Sequence, residues 1–504
     1  MDLKTLLSFQ WSLMTPEFII TGAAILLSLL DLFAKKTFNR TILGYGALAA
    51  VAAALVSLVT LYSHEAGEIL GGSFVLDGYA KAFKTLILLG GALVLLLAVS
   101  NHKQTPIRDK GEYYYLLLTG LLGAMFVTSS QDLIMLFVGL ELLTLSSYVL
   151  VGIRKDNRKA NEAAMKYVIN GGIATAVTVF GLSYIYGLTG STNVLEINAA
   201  LQQNAGNSGV ELLLMLAFLL TFVGLSFKLA AAPFHMWAPD VYQGAATPVT
   251  AFLGTVSKVA GFALVVRLFL FIFASVPAHG GTGMILTNVQ QYIAVLAGIT
   301  MVVGNFVALK QTNVKRMFAY SGIAHAGYLL VPFVALSDFT FDSMFFYMLA
   351  YILMNIGAFA VVHALSKDND NENLSMFAGL FQRSPLTAVL MTVFILSLAG
   401  IPGTAGFIGK VNIFLGAFAL SHYVLPSIMM ATTVVSFVYY FRILQQMFFR
   451  SGEETKVVVP ASLRAAMLIC AILTVVLGIL PSLGYNLFYD QLVAVKDFLF
   501  TGAN

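Results

Sequence analysis

Apolar residues run through this chain in blocks of about 20, separated by short polar breaks; a helix of that length crosses a hydrocarbon core of about 30 Å. The blocks fall near 15–34, 41–62, 79–100, 112–129, 132–152, 162–188, 211–231, 247–274, 288–309, 316–335, 341–365, 385–419, 423–449 and 461–482. The pattern predicts an all-α polytopic membrane protein with about 14 transmembrane helices. Two stretches do not fit a plain crossing. The segment 232–246 and the long twelfth block both contain proline and glycine.

The polar breaks alternate in charge. The odd-numbered loops hold Lys35, Lys36 and Arg40; Lys103, Arg108 and Lys110; Arg154, Lys155, Arg158 and Lys159. Further along they hold Lys310, Lys315 and Arg316; Lys367 and Arg383; Arg450 and Lys456. The even-numbered loops, such as 189–210, 275–287 and 336–340, are nearly free of Lys and Arg. Cytoplasmic loops carry the excess of basic residues, so both termini are expected on the non-cytoplasmic side. A miscounted helix would reverse the alternation halfway. One loop breaks the rule: 232–246 has no basic residue of its own.

Composition narrows the function. The chain has 504 residues, 59% hydrophobic and 10% charged, against about 25% charged in soluble domains. Its single cysteine, Cys470, rules out an internal disulfide. A thiolate-held iron–sulfur cluster needs about four cysteines, so none is expected here; Cys470 reads as lipid-facing or as core packing. The Met1-Asp2 start and the lack of an A-x-A-like exit argue against a cleaved signal, and insertion by the first helix is expected. No G-x-G-x-x-G between strand and helix and no Walker A sequence is present. No loop is long enough to fold alone, and nothing points to nucleic acid. The membrane part itself is left to carry the function.

Setting aside the loop charges leaves a short list. Glu141 lies nine residues past Asp132, about 14 Å along a helix and near mid-bilayer. Lys166, Lys228, Lys258 and Lys410 read as buried lysines, with Arg267 and Arg442 deeper in long helices and His235 and His325 as imidazoles. A charge at the centre of a membrane helix costs about 2.5–3.5 kcal/mol on insertion scales. Glu141, Lys228, Lys258 and Lys410 are too deep to snorkel and read as functional. Lys166 is nearer an edge; Arg267 and Arg442 read as anchors, and His325 reads equally as a core histidine. One carboxylate among several lysines suits proton or cation movement. Desolvation lowers a lysine pKa and a nearby carboxylate raises it, so a moving carboxylate loads and unloads a lysine. Thr144, Ser146, Ser147 and Tyr148 stand close to Glu141 as possible relays.

Lys228 precedes Pro233 by five residues, and Lys410 follows the run I-P-G-T-A-G-F-I-G-K. Irregular backbone at membrane depth occurs where it is buried or lines a wet cavity. Paired interruptions suggest inverted repeats. Spans seven and twelve are five apart, which predicts two five-helix repeats with helices 7 and 12 broken. The expected division is 15–100 for three N-terminal helices, 112–274 for repeat one, 288–449 for repeat two and 461–482 for the last helix.

The run F-K-L-A-A-A-P-F-H-M-W-A-P-D-V-Y-Q-G-A-A-T-P-V-T-A-F-L-G-T-V-S-K resembles the hallmark of the antiporter-like proton-translocating subunits of respiratory complex I. Its D-V-Y-x-G-A-x-T-P-V form is similar to the subunit N (subunit 2) type rather than to subunits L and M. E-A-A-M-K-Y-V-I-N-G-G, V-K-R-M-F-A-Y-S-G-I-A-H-A-G-Y and S-L-A-G-I-P-G-T-A-G-F-I-G-K match the same type, over nearly the whole chain. The resemblance implies that Glu141 is the helix-five glutamate and Lys228 its partner on broken helix seven. Lys258 and Lys410 become the lysines of helices eight and twelve and Lys166 that of helix six. His235 and His325 become polar positions of a hydrophilic axis. It also implies NADH:quinone oxidoreduction coupled to proton pumping, with NADH, FMN, iron–sulfur clusters and quinone on partner subunits and no cofactor or metal on this chain. Expected partners are M-, K-, J- and A-type membrane subunits, a peripheral redox arm and the lipid bilayer of a bacterial plasma membrane. The alternatives are a subunit of a multisubunit Na+/H+ (Mrp-type) antiporter, a ferredoxin-driven relative of complex I, and a membrane anchor for a redox arm.

Overall fold

Polar residues at the breaks start the helices. Asp77 accepts from the Ala80 N–H, Asp132 from Ile134 and Met135, Asn157 from Ala160, and Asn207 from Gly209. Asn313 and Ser337 do the same for Arg316 and Thr340. Each satisfies a backbone donor that the first helical turn leaves unpaired.

The computed structural model describes residues 8–35, 37–100, 107, 110–203, 207–273, 276–278, 284–366, 372–452 and 456–488. Lys36, Lys103, Arg108 and Lys367, four of the loop cations, lie outside the described residues. The membrane helices are α1 (Trp11–Phe33), α2 (Thr41–Thr60), α3 (Gly78–Ala98), α4 (Lys110–Ser129), α5 (Leu133–Val151), α6 (Arg158–Thr189) and α7 (Ser208–Leu229). They continue as α8 (Thr247–Phe273), α9 (Ile285–Ala308), α10 (Val314–Ala335) and α11 (Asp338–Leu365). The twelfth is broken into α12a (Pro385–Ala399) and α12b (Ala405–Ala419). The last two are α13 (Val424–Phe449) and α14 (Ala461–Ile479). Twelve of these are long and apolar enough to cross a membrane by themselves. The tyrosine-bearing α4 and the broken α12 complete the predicted count.

Burial orders the helices. The apolar stretches of α8 and α11 are 100% buried and that of α10 is 94% buried, whereas α6 is buried over only 22%. The centre of the molecule is therefore α8, α10 and α11, and α6 lies on the rim. Small residues let neighbouring helices close up, as is usual where no water drives association. A Cβ on Gly123 of α4 would lie 2.4 Å from the Leu143 nitrogen of α5, and one on Gly304 of α9 would lie 2.5 Å from the Ala324 nitrogen of α10.

The two breaks close alike. After α7, Ala230 adopts a left-handed conformation (φ 57°) and the Ala231 N–H bonds to Ser226 O at 2.9 Å. After α12a, Gly400 does so (φ 84°) and the Ile401 N–H bonds to Leu396 O at 2.9 Å. Both are left-handed helix closures. Pro233 thus does not end its helix: Ala230 does, three residues earlier. The segment then forms a short helix, Trp237–Gly244.

Some loops hold structure that the apolar pattern does not reveal. Gly67–Ile69 pairs antiparallel with Phe74–Leu76, and Val194–Gln203 is a helix in the loop after α6. Arg267 is fully buried and bound to Asp77 at 2.8 Å and 3.3 Å and to Thr128 O at 2.9 Å. Arg442 donates to Leu309 O at 2.7 Å, tying α13 to the end of α9. Both arginines are anchors. Cys470 is buried, so it packs in the core.

Candidate functional site

Lys228 occupies the last turn of α7, where the chain is about to break, and is 5% exposed. Its Nζ donates to Thr144 Oγ1 of α5 at 3.1 Å. Glu141, one turn earlier on α5 and half-buried, instead accepts from Thr175 Oγ1 of α6 at 2.8 Å. No ion pair joins Glu141 to a lysine among the described residues. The expected partners are thus neighbours through Thr144, not in contact.

The Lys228 stem passes Gly261 of α8, where an added Cβ would lie 3.4 Å from Lys228 Cγ. One turn back on α8 is Lys258, buried, whose Nζ donates to Gly322 O of α10. Lys258 Nζ also lies 5.8 Å from the Tyr351 ring of α11. The Tyr351 ring is 5.2 Å from that of His325, and His325 is 5.5 Å from Tyr328. Tyr328 in turn stands 5.2 Å from Lys410 Nζ. His325 is therefore the middle of a line of ring contacts from Lys258 to Lys410. Its Nδ1 meets Tyr347 OH at 2.5 Å and its Nε2 meets Tyr440 OH at 3.2 Å; Tyr440 continues to Ser321 at 2.5 Å.

Lys410 crosses the second break. It starts from α12b and donates back to the last carbonyls of α12a, Leu398 O at 2.7 Å and Ala399 O at 3.3 Å. A cation at a helix C-terminus meets the negative end of the helix dipole. At the first break the matching position is filled by a neutral donor: Trp237 Nε1 bonds to Phe227 O at 2.9 Å. Lys228, Lys258 and Lys410 are thus held by a hydroxyl and by carbonyl dipoles. Among the described residues no carboxylate is paired with any of them.

A different arrangement holds Lys166 and His235. Lys166 is not buried, contrary to its reading as an inner lysine: its side chain is 42% exposed and paired with Glu162 and with Asp240, each at 2.6 Å. It lies two turns into α6, at the end of the molecule that carries the basic loops, and reaches outward. Asp240, on the short helix Trp237–Gly244, also takes Arg316. Burial pushes the Asp240 carboxyl up, but the hydrogen bonds from Lys166 and Arg316 outweigh it and hold it below the usual carboxylate range. Arg154 donates to Gly244 O at 2.6 Å and Lys315 to Ala245 O at 3.0 Å. The loop without basic residues is therefore surrounded by Arg154, Lys166, Lys315 and Arg316 from its neighbours. This accounts for the single exception to the charge alternation. His235 is half-buried beside the Tyr320 ring at 6.2 Å. Burial lowers its pKa below the ordinary imidazole range, opposed by a hydrogen bond at the Pro233 backbone.

Sequence reasoning missed Thr175 and the tyrosines around His325. The signals for the latter were Tyr328, one turn after His325, and Tyr347 and Tyr351 at helical spacing in α11.

Residues 130–436 match the family model described as "NADH:quinone oxidoreductase/Mrp antiporter, TM". The chain is 65% identical to NADH-quinone oxidoreductase subunit N of Bacillus anthracis, over 100% of this chain and 99% of that protein. Its structure is similar to a chain of respiratory complex I from Thermus thermophilus, with a TM-score of 0.78 and 32% identity, covering 94% of this chain and 99% of that one. A chain of the Mrp complex from a Dietzia species has a TM-score of 0.83 at 19% identity, covering 97% and 98%, a likeness of fold alone. With its full-length match and inner row of lysines, the chain belongs to the NADH-quinone oxidoreductase subunit N family, the antiporter-like proton-translocating membrane subunits of bacterial complex I.

Proposed function

We propose that protons cross this subunit by way of Lys228, Lys258 and Lys410, with Glu141 setting the charge state of Lys228 from outside the row and His325 joining Lys258 to Lys410. The observation that carries this is the run of ring contacts Lys258–Tyr351–His325–Tyr328–Lys410 at the buried centre of the molecule, with His325 hydrogen-bonded to Tyr347 and Tyr440. A lysine held by hydroxyl and carbonyl groups keeps an acceptor for its proton without a fixed counter-charge. Such a site is filled and emptied when a neighbouring charge moves. The half-buried position of Glu141 beside the mostly uncovered α6 suits a neighbouring subunit that covers and polarises it. Lys166, Asp240, Arg316 and His235 form the mouth at the basic-loop end.

The assembly is read as a complex in the bacterial plasma membrane, with both termini away from the cytoplasm. Its neighbours are M-, K-, J- and A-type subunits, and a peripheral arm carries NADH, FMN, the iron–sulfur clusters and most of the quinone site. Electron transfer there alters the field at Glu141. The two broken helices, closed alike at Ala230 and Gly400, and the matching Gly123 and Gly304 contacts support two five-helix repeats, 112–274 and 288–449.

The test is Lys258→Met in the intact complex reconstituted in liposomes. The expected result is normal assembly with a reduced number of protons moved per electron. An unchanged ratio would overturn the assignment.

A further inference from the structure

Helices α9 and α13 are tied together at the end that carries the basic loops and part at the other. Tyr439 OH donates to Asn305 Oδ1 at 3.0 Å, and Arg442 donates to Leu309 O at 2.7 Å. Towards the opposite end a groove of about 600 Å³ opens between them, within the roughly 300–1,000 Å³ range of small-molecule sites. Gly298 of α9 and Leu425 and Ile428 of α13 form its floor, and Val334 of α10 is part of its wall. Gly298 leaves room in it: a Cβ there would lie 3.5 Å from Ile428 Cδ1 and 3.8 Å from Leu425 Cδ1. Val295, Ile299 and Val302 on its rim are exposed. Both helices cross the membrane, so the open side of the groove faces the bilayer.

Depth and polarity identify the occupant. The lining on α9 runs from Ala294 to Val303, about 14 Å along the helix axis. That is about half of a hydrocarbon core of roughly 30 Å, so the groove spans one leaflet and stops at mid-membrane. A helix of a neighbouring subunit, about 10–12 Å across, would run the full depth; an acyl chain of one leaflet ends where the groove ends. Polar groups stand at the surface end of the groove, where Ser421, His422 and Tyr423 join α12b to α13. None of these three side chains has a hydrogen-bond partner among the described residues. Tyrosine is a residue of the membrane–water boundary, where headgroups lie.

We infer that this groove binds one acyl chain of a phospholipid from the leaflet away from the basic loops. The headgroup phosphate accepts hydrogen bonds from the Ser421 and Tyr423 hydroxyls and from the His422 imidazole. The chain fills the space that the two helices leave, whose apolar lining would otherwise lack packing partners on one side. The opposite side of α9 is closed against α10, where a Cβ on Gly327 would lie 3.0 Å from Ala297 O. The lipid therefore sits behind α9, with that helix between it and His325. The inference rests on the membrane crossing of α9 and α13 and not on the proton route.

The test uses the intact complex in liposomes of phosphatidylethanolamine and phosphatidylglycerol, with a trace of phosphatidylglycerol carrying a diazirine midway along one acyl chain. Illumination and peptide mass spectrometry map the adducts. They are expected to be several-fold more abundant on Ile299, Val302 and Ile428 than on Met430 and Val434. The latter two lie on another face of α13 and are 54% and 58% exposed, so exposure alone would favour them. Gly298→Leu puts carbon into the groove. It is expected to lower the groove adducts several-fold and to leave those on Met430 and Val434 unchanged. Equal labelling of the two sets would show ordinary bilayer lipid only and overturn the inference. Labelling of Met430 and Val434 without the groove would show that a neighbouring subunit covers it, which overturns the inference as well. So would groove adducts formed by a diazirine-bearing quinone and by no phospholipid. If Gly298→Leu does not assemble, the map of the unsubstituted complex decides alone.

Discussion

Lys228 Nζ donates to Thr144 Oγ1 at 3.1 Å, and the Glu141 carboxylate one turn away is held instead by Thr175. The glutamate and the lysine that would exchange influence are thus kept apart by two threonines, each holding one of them. In the proposed mechanism, exchange between them requires Lys228 to leave Thr144 or Glu141 to leave Thr175.

Replacing Thr144 with valine keeps its shape and removes the acceptor. A hydrogen bond to a charged group contributes about 1.5–3 kcal/mol, roughly a 10- to 150-fold change in how often Lys228 occupies this position. Proton pumping is expected to fall in Thr144→Val with assembly intact, and Thr144→Ser is expected to restore it. Acidification of the vesicle interior, followed with a fluorescent dye, measures both.

The two helix breaks respond in opposite ways to substitution. Ala230 sits at φ 57° with a side chain, at a cost of about 1–2 kcal/mol for a left-handed non-glycine residue. Ala230→Gly is expected to leave pumping unchanged and to raise the melting temperature of the purified complex slightly. At Gly400, an added Cβ would be strained at φ 84° and would lie 3.1 Å from Lys410 Cδ. Gly400→Ala is expected to displace Lys410 from the α12a carbonyls, reducing protons moved per electron more than quinone reduction.

His325 is held from both sides by tyrosine hydroxyls. Tyr347→Phe and Tyr440→Phe are each expected to slow pumping. Because the two act on one imidazole, the double variant should lose less than the sum of the single losses. Additive losses would show that the hydroxyls act separately.

Asp240 has its pKa lowered in the folded protein, so it contributes stability above the ordinary carboxylate range. That contribution is lost as pH falls through the folded value. Melting of the detergent-solubilised complex should therefore show an acid-side loss of stability that is smaller in Asp240→Asn. At neutral pH the same variant should be the less stable of the two, because Lys166 and Arg316 lose their shared carboxylate.

Read alone, the sequence determined the crossings, the alternation of loop charge and the presence of Glu141, Lys228, Lys258 and Lys410 within apolar helices. These depend on insertion length and on the cost of a charge in lipid, which are properties of one helix at a time. It also located both breaks, though it attributed the first to Pro233 and not to Ala230, because backbone closure depends on hydrogen bonds to the preceding turn. Only the tertiary structure decided which groups meet across helices. Tyr347, Tyr351 and Tyr440 look like ordinary core residues until α11 and α13 bring them around His325. Lys166 looked buried until the rim position of α6 turned it outward to Asp240. Glu17 and Lys84 lie near block ends, where charges are cheap, and were passed over. The packing of α1 and α3 buries them together as an ion pair, a contact that neither helix makes alone.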